Sequence, residues 1–71
     1  MRIYELTARY DSRQSFYGKA HVIDHENRTI ELQSYNTIVA RTENGKVTQN
    51  DLNVYSQTTN RHIREFLKQF A

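Results

Sequence analysis

The chain contains no cysteine, no proline and no tryptophan, and only two glycines in 71 residues. Without cysteine there is no disulfide, no thiolate zinc site, no iron–sulfur cluster and no thiol nucleophile. A domain below about 70–80 residues often leans on such staples, so this one must hold together by packing or by association. The same absence accords with a reducing cytosol, and a cytoplasmic location is expected. Long apolar runs are missing too. Nothing approaches the roughly 20 residues that cross a bilayer, and Glu5 interrupts the stretch where a secretion signal would need unbroken apolar residues. Basic runs are also absent. The formal net charge is +2, and no three basic residues are consecutive, whereas nucleic-acid binders usually cluster Lys and Arg.

What the chain does have is amide and hydroxyl chemistry. Asn, Gln, Ser and Thr make up 22 residues, interleaved with β-branched and aromatic ones, a mixture unlike that of disordered segments. The first half alternates with period two, the mark of half-buried strands. Tyr4, Leu6, Ala8 and Tyr10 share one face; Ile3, Glu5, Thr7 and Arg9 share the other. Phe16, Gly18, Ala20 and Val22 then alternate with Tyr17, Lys19, His21 and Ile23, with Gly18 suggesting a bulge or close contact. The segment 25–28 has turn character, with Asn27 suited to φ > 0. A continuous strand from Thr29 to Thr42 would be too long for so small a domain, and Ile38-Val39-Ala40 is apolar on both faces. A bulge or sharp bend is therefore expected near Ser34-Tyr35. Asn44-Gly45 between strand-like segments favours a two-residue type I′ hairpin. Leu52 and Val54 in the following loop are expected to point inward.

The end is helical. Ile63, Phe66, Leu67 and Phe70 form an i, i+3, i+4, i+7 stripe, with Ser56 or Thr58 as N-cap and Arg61 able to pair with Glu65. The expected architecture is one α+β domain spanning residues 1–71. It is a bent antiparallel meander of four to five strands, about 2–10, 15–24, 28–33, 35–43 and 46–50, with one C-terminal helix, about 58–70, packed on one face.

Two segments resemble a known family. Ser34-Tyr35-Asn36-Thr37-Ile38-Val39-Ala40 and the run from Tyr55 through Ser56-Gln57-Thr58-Thr59-Asn60-Arg61-His62-Ile63 to Phe66-Leu67 are similar to motifs of small uncharacterised proteins from phages, prophages and plasmids of Gram-positive bacteria. The match covers about residues 30–70. Some members carry an aromatic where this chain has Asn53 and Val54. The resemblance implies a compact sheet-plus-helix module and assigns no activity.

Three clusters invite a functional reading. Thr58, Thr59, Arg61 and His62 at the helix start could form an anion site; the structural alternative has the hydroxyls capping the helix while His62 packs on Phe66 and bonds a tyrosine such as Tyr35 or Tyr55. His21 and His25 with Asp24 and Glu26 do not converge from a strand and turn, so no metal is expected. The outer sheet face offers Arg9, Tyr17, Lys19, His21 and Ile23, with Ile3 nearby. Aromatics among cations on a sheet can stack single-stranded nucleic acid, while exposed isoleucines suit a protein interface. No nucleophile–base pair or phosphate loop is visible, so a catalytic residue, an enzyme and a cofactor are not expected. The expectation is an accessory protein that binds a host or phage protein or a second copy of itself, with weak single-stranded nucleic-acid binding as the alternative.

Overall fold

The computed structural model describes residues 1–12, 16 and 18–71. Five strands, β1 (Arg2–Glu5), β2 (Ala20–Asp24), β3 (Thr29–Ser34), β4 (Thr37–Glu43) and β5 (Lys46–Asn50), precede one helix, α1 (Gln57–Phe70). The strands pair antiparallel in the order β1-β2-β3-β4-β5. This is the expected α+β meander, and α1 packs against β3 and β4. Among the described residues no helix is long and apolar enough to cross a membrane.

The first two strands are shorter than their alternation suggests. β1 stops at Glu5 rather than continuing to Tyr10, and β2 starts at Ala20, with Gly18 and Lys19 outside it; its expected start at Ser15 lies outside the described residues. Leu6 N–H still donates to the Ala20 carbonyl at 2.9 Å, after which the chain leaves the sheet. Gly18, expected inside a strand, lies in a turn with φ +74°, and its N–H donates to Glu5 Oε1 at 2.9 Å. A glycine there avoids the Cβ clash of left-handed backbone.

In the β2–β3 hairpin, Glu26 and Arg28 take positive φ, where Asn27 was expected to. Asn27 acts instead through its side chain, Oδ1 accepting from Thr29 N–H at 3.2 Å. The break at Ser34-Tyr35 is a full reversal, not a bend within one strand. Tyr35 takes φ +56°, and Ser34 opposes Thr37 across the hairpin. The bulge sits further on. Leu32 opposes Ala40 and Gln33 opposes Ile38, leaving Val39 as the extra residue. An extra residue shifts the alternation by one, so Val39 and Ala40 are both buried. Asn44 and Gly45 both have positive φ, as the type I′ turn requires.

The core holds Leu6, Phe16, Ala20, Val22, Leu32, Val39 and Ala40 from the sheet side, closed by Ile63 and Phe66 of α1. Leu67 and Phe70 complete the helix stripe, half-buried against that cluster. Ser56 is the N-cap, its Oγ accepting from Thr59 N–H at 3.2 Å. Leu52 packs on the core as expected, but Val54 is 63% exposed. Asn53, at φ +69°, turns the loop outward, and the buried Asn60 side chain holds it there. Asn60 Oδ1 accepts from Asn53 N–H at 2.8 Å, and its Nδ2 donates to Asn53 Oδ1 at 3.1 Å.

Candidate functional site

The four residues expected at a helix-start anion site divide between two sides of α1. Thr59 and His62, three apart, are buried against the sheet; Thr58 is exposed and Arg61 half-buried. His62 Nδ1 lies 2.8 Å from Ser34 Oγ, which is 3.1 Å from Thr59 Oγ1. Thr59 Oγ1 also accepts from Ser56 Oγ at 3.3 Å. The partner of His62 is therefore a serine at the end of β3. Tyr35 and Tyr55, its expected partners, are about half exposed. The imidazole meets the Phe16 ring edge-on at 4.8 Å and the Tyr35 ring at 6.0 Å.

Burial pushes the His62 pKa below its ordinary value; Asp11 pulls partly back and Lys19 pushes down again. A neutral imidazole is the species that packs comfortably against Phe16. Ser34 and His62 are 2% and 1% exposed. Proximity alone would allow a hydroxyl–imidazole dyad, but neither residue lines either of the grooves described below, and the network reads as a buried polar tie between helix and sheet.

The residues expected on the outer face fare differently. Outer positions run in rows across the sheet, because directly paired residues point the same way. One row is Ile3, Ile23, Glu31, Arg41 and Gln49; the next is Glu5, His21, Gln33 and Ile38. His21 and Ile23 are thus on that face, half-buried. Lys19 lies just before β2, its ammonium 5.8 Å from the Tyr35 ring centre. Arg9 is beyond β1, in the 6–12 segment that leaves the sheet. Tyr17 falls outside the described residues. Glu31 bonds His25 Nε2 and Glu5 bonds Gly18 N–H, so the two carboxylates are engaged in local structure. Among the described residues no group of three or more His, Asp or Glu side chains could hold a metal ion.

A second centre lies on the helix side, and its key residue is Glu65. Its side chain is buried, and Arg61, its expected partner, turns away. Glu65 Oε1 accepts from both Tyr10 N–H and Asp11 N–H at 2.8 Å, and Oε2 accepts from Gln69 Nε2 at 2.6 Å. Arg61 Nη1 donates instead to Asp11 Oδ1 at 3.3 Å. Gln69 also donates to the Thr7 carbonyl at 2.6 Å. Burial alone would raise the Glu65 pKa, but the Gln69 amide and the N–H groups of Tyr10, Asp11 and Arg9 together hold it below the usual carboxylate value. A buried carboxylate thus pins the 7–11 segment to α1. Of the alternating residues that suggested more strand, Ala8 packs on the core, whereas Tyr10 docks through its backbone N–H and stays 60% exposed.

Two grooves flank the pinned segment and share Tyr10. One, of about 320 Å³, runs beside the outer side of α1 and is lined by Tyr10, Asp11, Arg61, Arg64 and Lys68 among others. The other, of about 230 Å³, lies between β1 and the end of α1, with Tyr4, Arg9, Tyr10 and Phe70 in its walls. The i, i+3, i+7 spacing of Arg61, Arg64 and Lys68 was the one available sign that these cations share a side of the helix.

An open five-stranded antiparallel meander, backed by a single helix and carrying shallow polar grooves, defines a small α+β module. Over residues 4–71 the chain matches the model of a family of unknown function (DUF8033), and it belongs to that family. The chain has no match among curated proteins or solved structures.

Proposed function

We propose that the protein is a non-enzymatic accessory protein of a phage or other mobile element, and that it works by binding another protein. The observation that supports this most is the state of the two sheet edges. An open sheet presents unpaired N–H and C=O groups along its outermost strands, and proteins commonly blunt such edges with bulges and lysines. β5 carries both devices, Lys46 and a register shift opposite Arg41 and Thr42. β1 pairs with β2 in unbroken register, and all four of its residues are exposed. Ile3, 58% exposed, stands beside Ile23 on the uncovered face.

The occupant that fits is an extended segment of a partner protein. It adds a strand to β1 and sets an apolar side chain against Ile3. The test is a pull-down from host lysate with wild type, Ile3→Lys and Lys46→Glu. A protein retained by wild type and Lys46→Glu but lost with Ile3→Lys supports the reading. Equal recovery with all three, or nothing enriched over a scrambled control, counts against it. A wild-type dimer that Ile3→Lys dissociates in sedimentation would make the partner a second copy.

The second reading is weak single-stranded nucleic-acid binding at the sheet face around Lys19 and His21, two of the four residues expected for it from sequence. It is favoured by the ammonium of Lys19 over the Tyr35 ring, a pairing that also serves bases and phosphates. It requires salt-dependent binding. A flat anisotropy titration with single-stranded DNA and RNA at low salt would end it.

A further inference from the structure

The groove beside α1 has a charge balance that composition hides. Among the described residues it is lined by two carboxylates and three cations. Both carboxylates are engaged: Asp11 accepts from Arg61, and Glu65 is surrounded by N–H donors from Tyr10, Asp11 and Gln69. Arg64 and Lys68 remain. Both are exposed, four residues apart and hence one helical turn, and among the described residues neither has an ion pair. Two like charges held on one rim repel each other, and an anion between them relieves that repulsion. Arg in particular offers a planar fork that suits phosphate oxygens.

Tyr10 lines the same groove. Its backbone N–H is held by Glu65, which anchors the residue beside the groove, and the residue is 60% exposed. An exposed aromatic with an anchored backbone, beside cations without an ion pair, is suited to a ligand that joins a flat ring to an anion. The volume, about 320 Å³, is at the small end of ligand sites and suits one such unit.

We propose that this groove binds a nucleotide, with its phosphate on Arg64 and Lys68 and its base stacked on Tyr10. The unit is the same whether it comes as a free mononucleotide or within a single strand. The site is separate from the β1 edge and from the sheet face around Lys19.

The experiment is an amide NMR titration of the full chain at low salt with adenosine monophosphate, inorganic phosphate and a short oligothymidine. It compares wild type, Arg64→Glu/Lys68→Glu, Tyr10→Ala and, as a control, Lys46→Glu. All four positions are exposed, and an unchanged melting temperature confirms that each variant folds. The expected result is that the mononucleotide shifts resonances around residues 10–12 and 61–68. The double variant should weaken binding about tenfold or more, as for a lost charge-assisted contact, and Tyr10→Ala about fivefold, as for a lost stacking partner. Lys46→Glu should bind as wild type does. Tighter binding of oligothymidine at the same residues identifies a strand as the source, and equal binding identifies the free nucleotide. No shifts up to millimolar mononucleotide, shifts undiminished in the double variant, or inorganic phosphate binding as tightly as the nucleotide would each overturn the proposal. Shifts confined to Lys19 and Tyr35 would do so as well, and would favour the sheet-face reading.

Discussion

Ser34 Oγ and His62 Nδ1 lie 2.8 Å apart, and this contact ties the end of β3 to the second turn of α1 inside a closed interior. Ser34 and His62 are both almost fully shielded from solvent. Ser34→Ala therefore leaves a buried ring nitrogen without its partner, at a cost of about 1–3 kcal/mol. Chemical denaturation should show the loss as a lower midpoint with an unchanged slope. A midpoint equal to wild type would mean that the imidazole finds another partner at no cost.

Acid should lower the protein's stability in two windows of pH. His62 has a lowered folded pKa, so below about pH 6.5 the unfolded chain binds the proton more readily. The stability it contributes is complete above that pH and is lost as the pH falls through the folded pKa. Glu65 also has a lowered folded pKa; its contribution is present above about pH 4.3 and is lost at more acid pH. Melting temperature followed against pH should fall in the first window and again in the second. His62→Asn should remove the first fall and leave the second. Identical profiles for the two proteins would show that His62 has no part in it.

Glu65→Ala should release the 7–11 segment. The substitution strands two backbone N–H groups and the Gln69 amide at once, and a cost of about 2–4 kcal/mol follows from losing charged hydrogen bonds in a buried site. Hydrogen exchange offers the sharper measurement. The Tyr10 and Asp11 amides should lose protection by more than those of β3 and β4. Equal loss everywhere would show that Glu65 supports the fold as a whole and not this segment.

Phe66→Ala should cost about 3–5 kcal/mol, because Phe66 is the largest fully buried side chain among the described residues and closes the core beneath the sheet. For so small a domain that is a large share of total stability. Thermal melting close to wild type would mean that α1 can detach without opening the core.

The parts of the fold that were legible in sequence are those governed by local rules. Asn44-Gly45 specifies its turn through two positive φ angles, Ser56 caps α1 through its own hydroxyl, and the Ile63–Phe70 stripe needs only the helical period. Tyr4, Leu6, Ala8 and Tyr10 misled for a physical reason. Alternation suggests that every second residue is covered, not what covers it. Leu6 and Ala8 are covered by the core, whereas Tyr4 and Tyr10 are exposed and Tyr10 meets α1 through its backbone N–H. The candidate groove was illegible for a related reason. Its cations are dispersed along a helix, and the tyrosine opposite comes from the other end of the chain, held there by a glutamate whose local spacing pointed to Arg61. Hydroxyl partners were equally hidden, since nothing near His62 in sequence singles out Ser34.

The Glu65 and Gln69 contacts also carry a timing constraint. They span 54 to 62 residues of chain, whereas the hairpins of the sheet join near neighbours. During synthesis β2 to β5 can pair as each turn emerges, but the segment behind β1 has nowhere to dock until the last turns of α1 have left the ribosome. Until then Leu6 lacks its cover of Ile63 and Phe66, and β1 is held mainly by the strand beside it. Docking of the segment behind β1 on α1 is therefore a late step, because it joins parts of the chain made far apart in time.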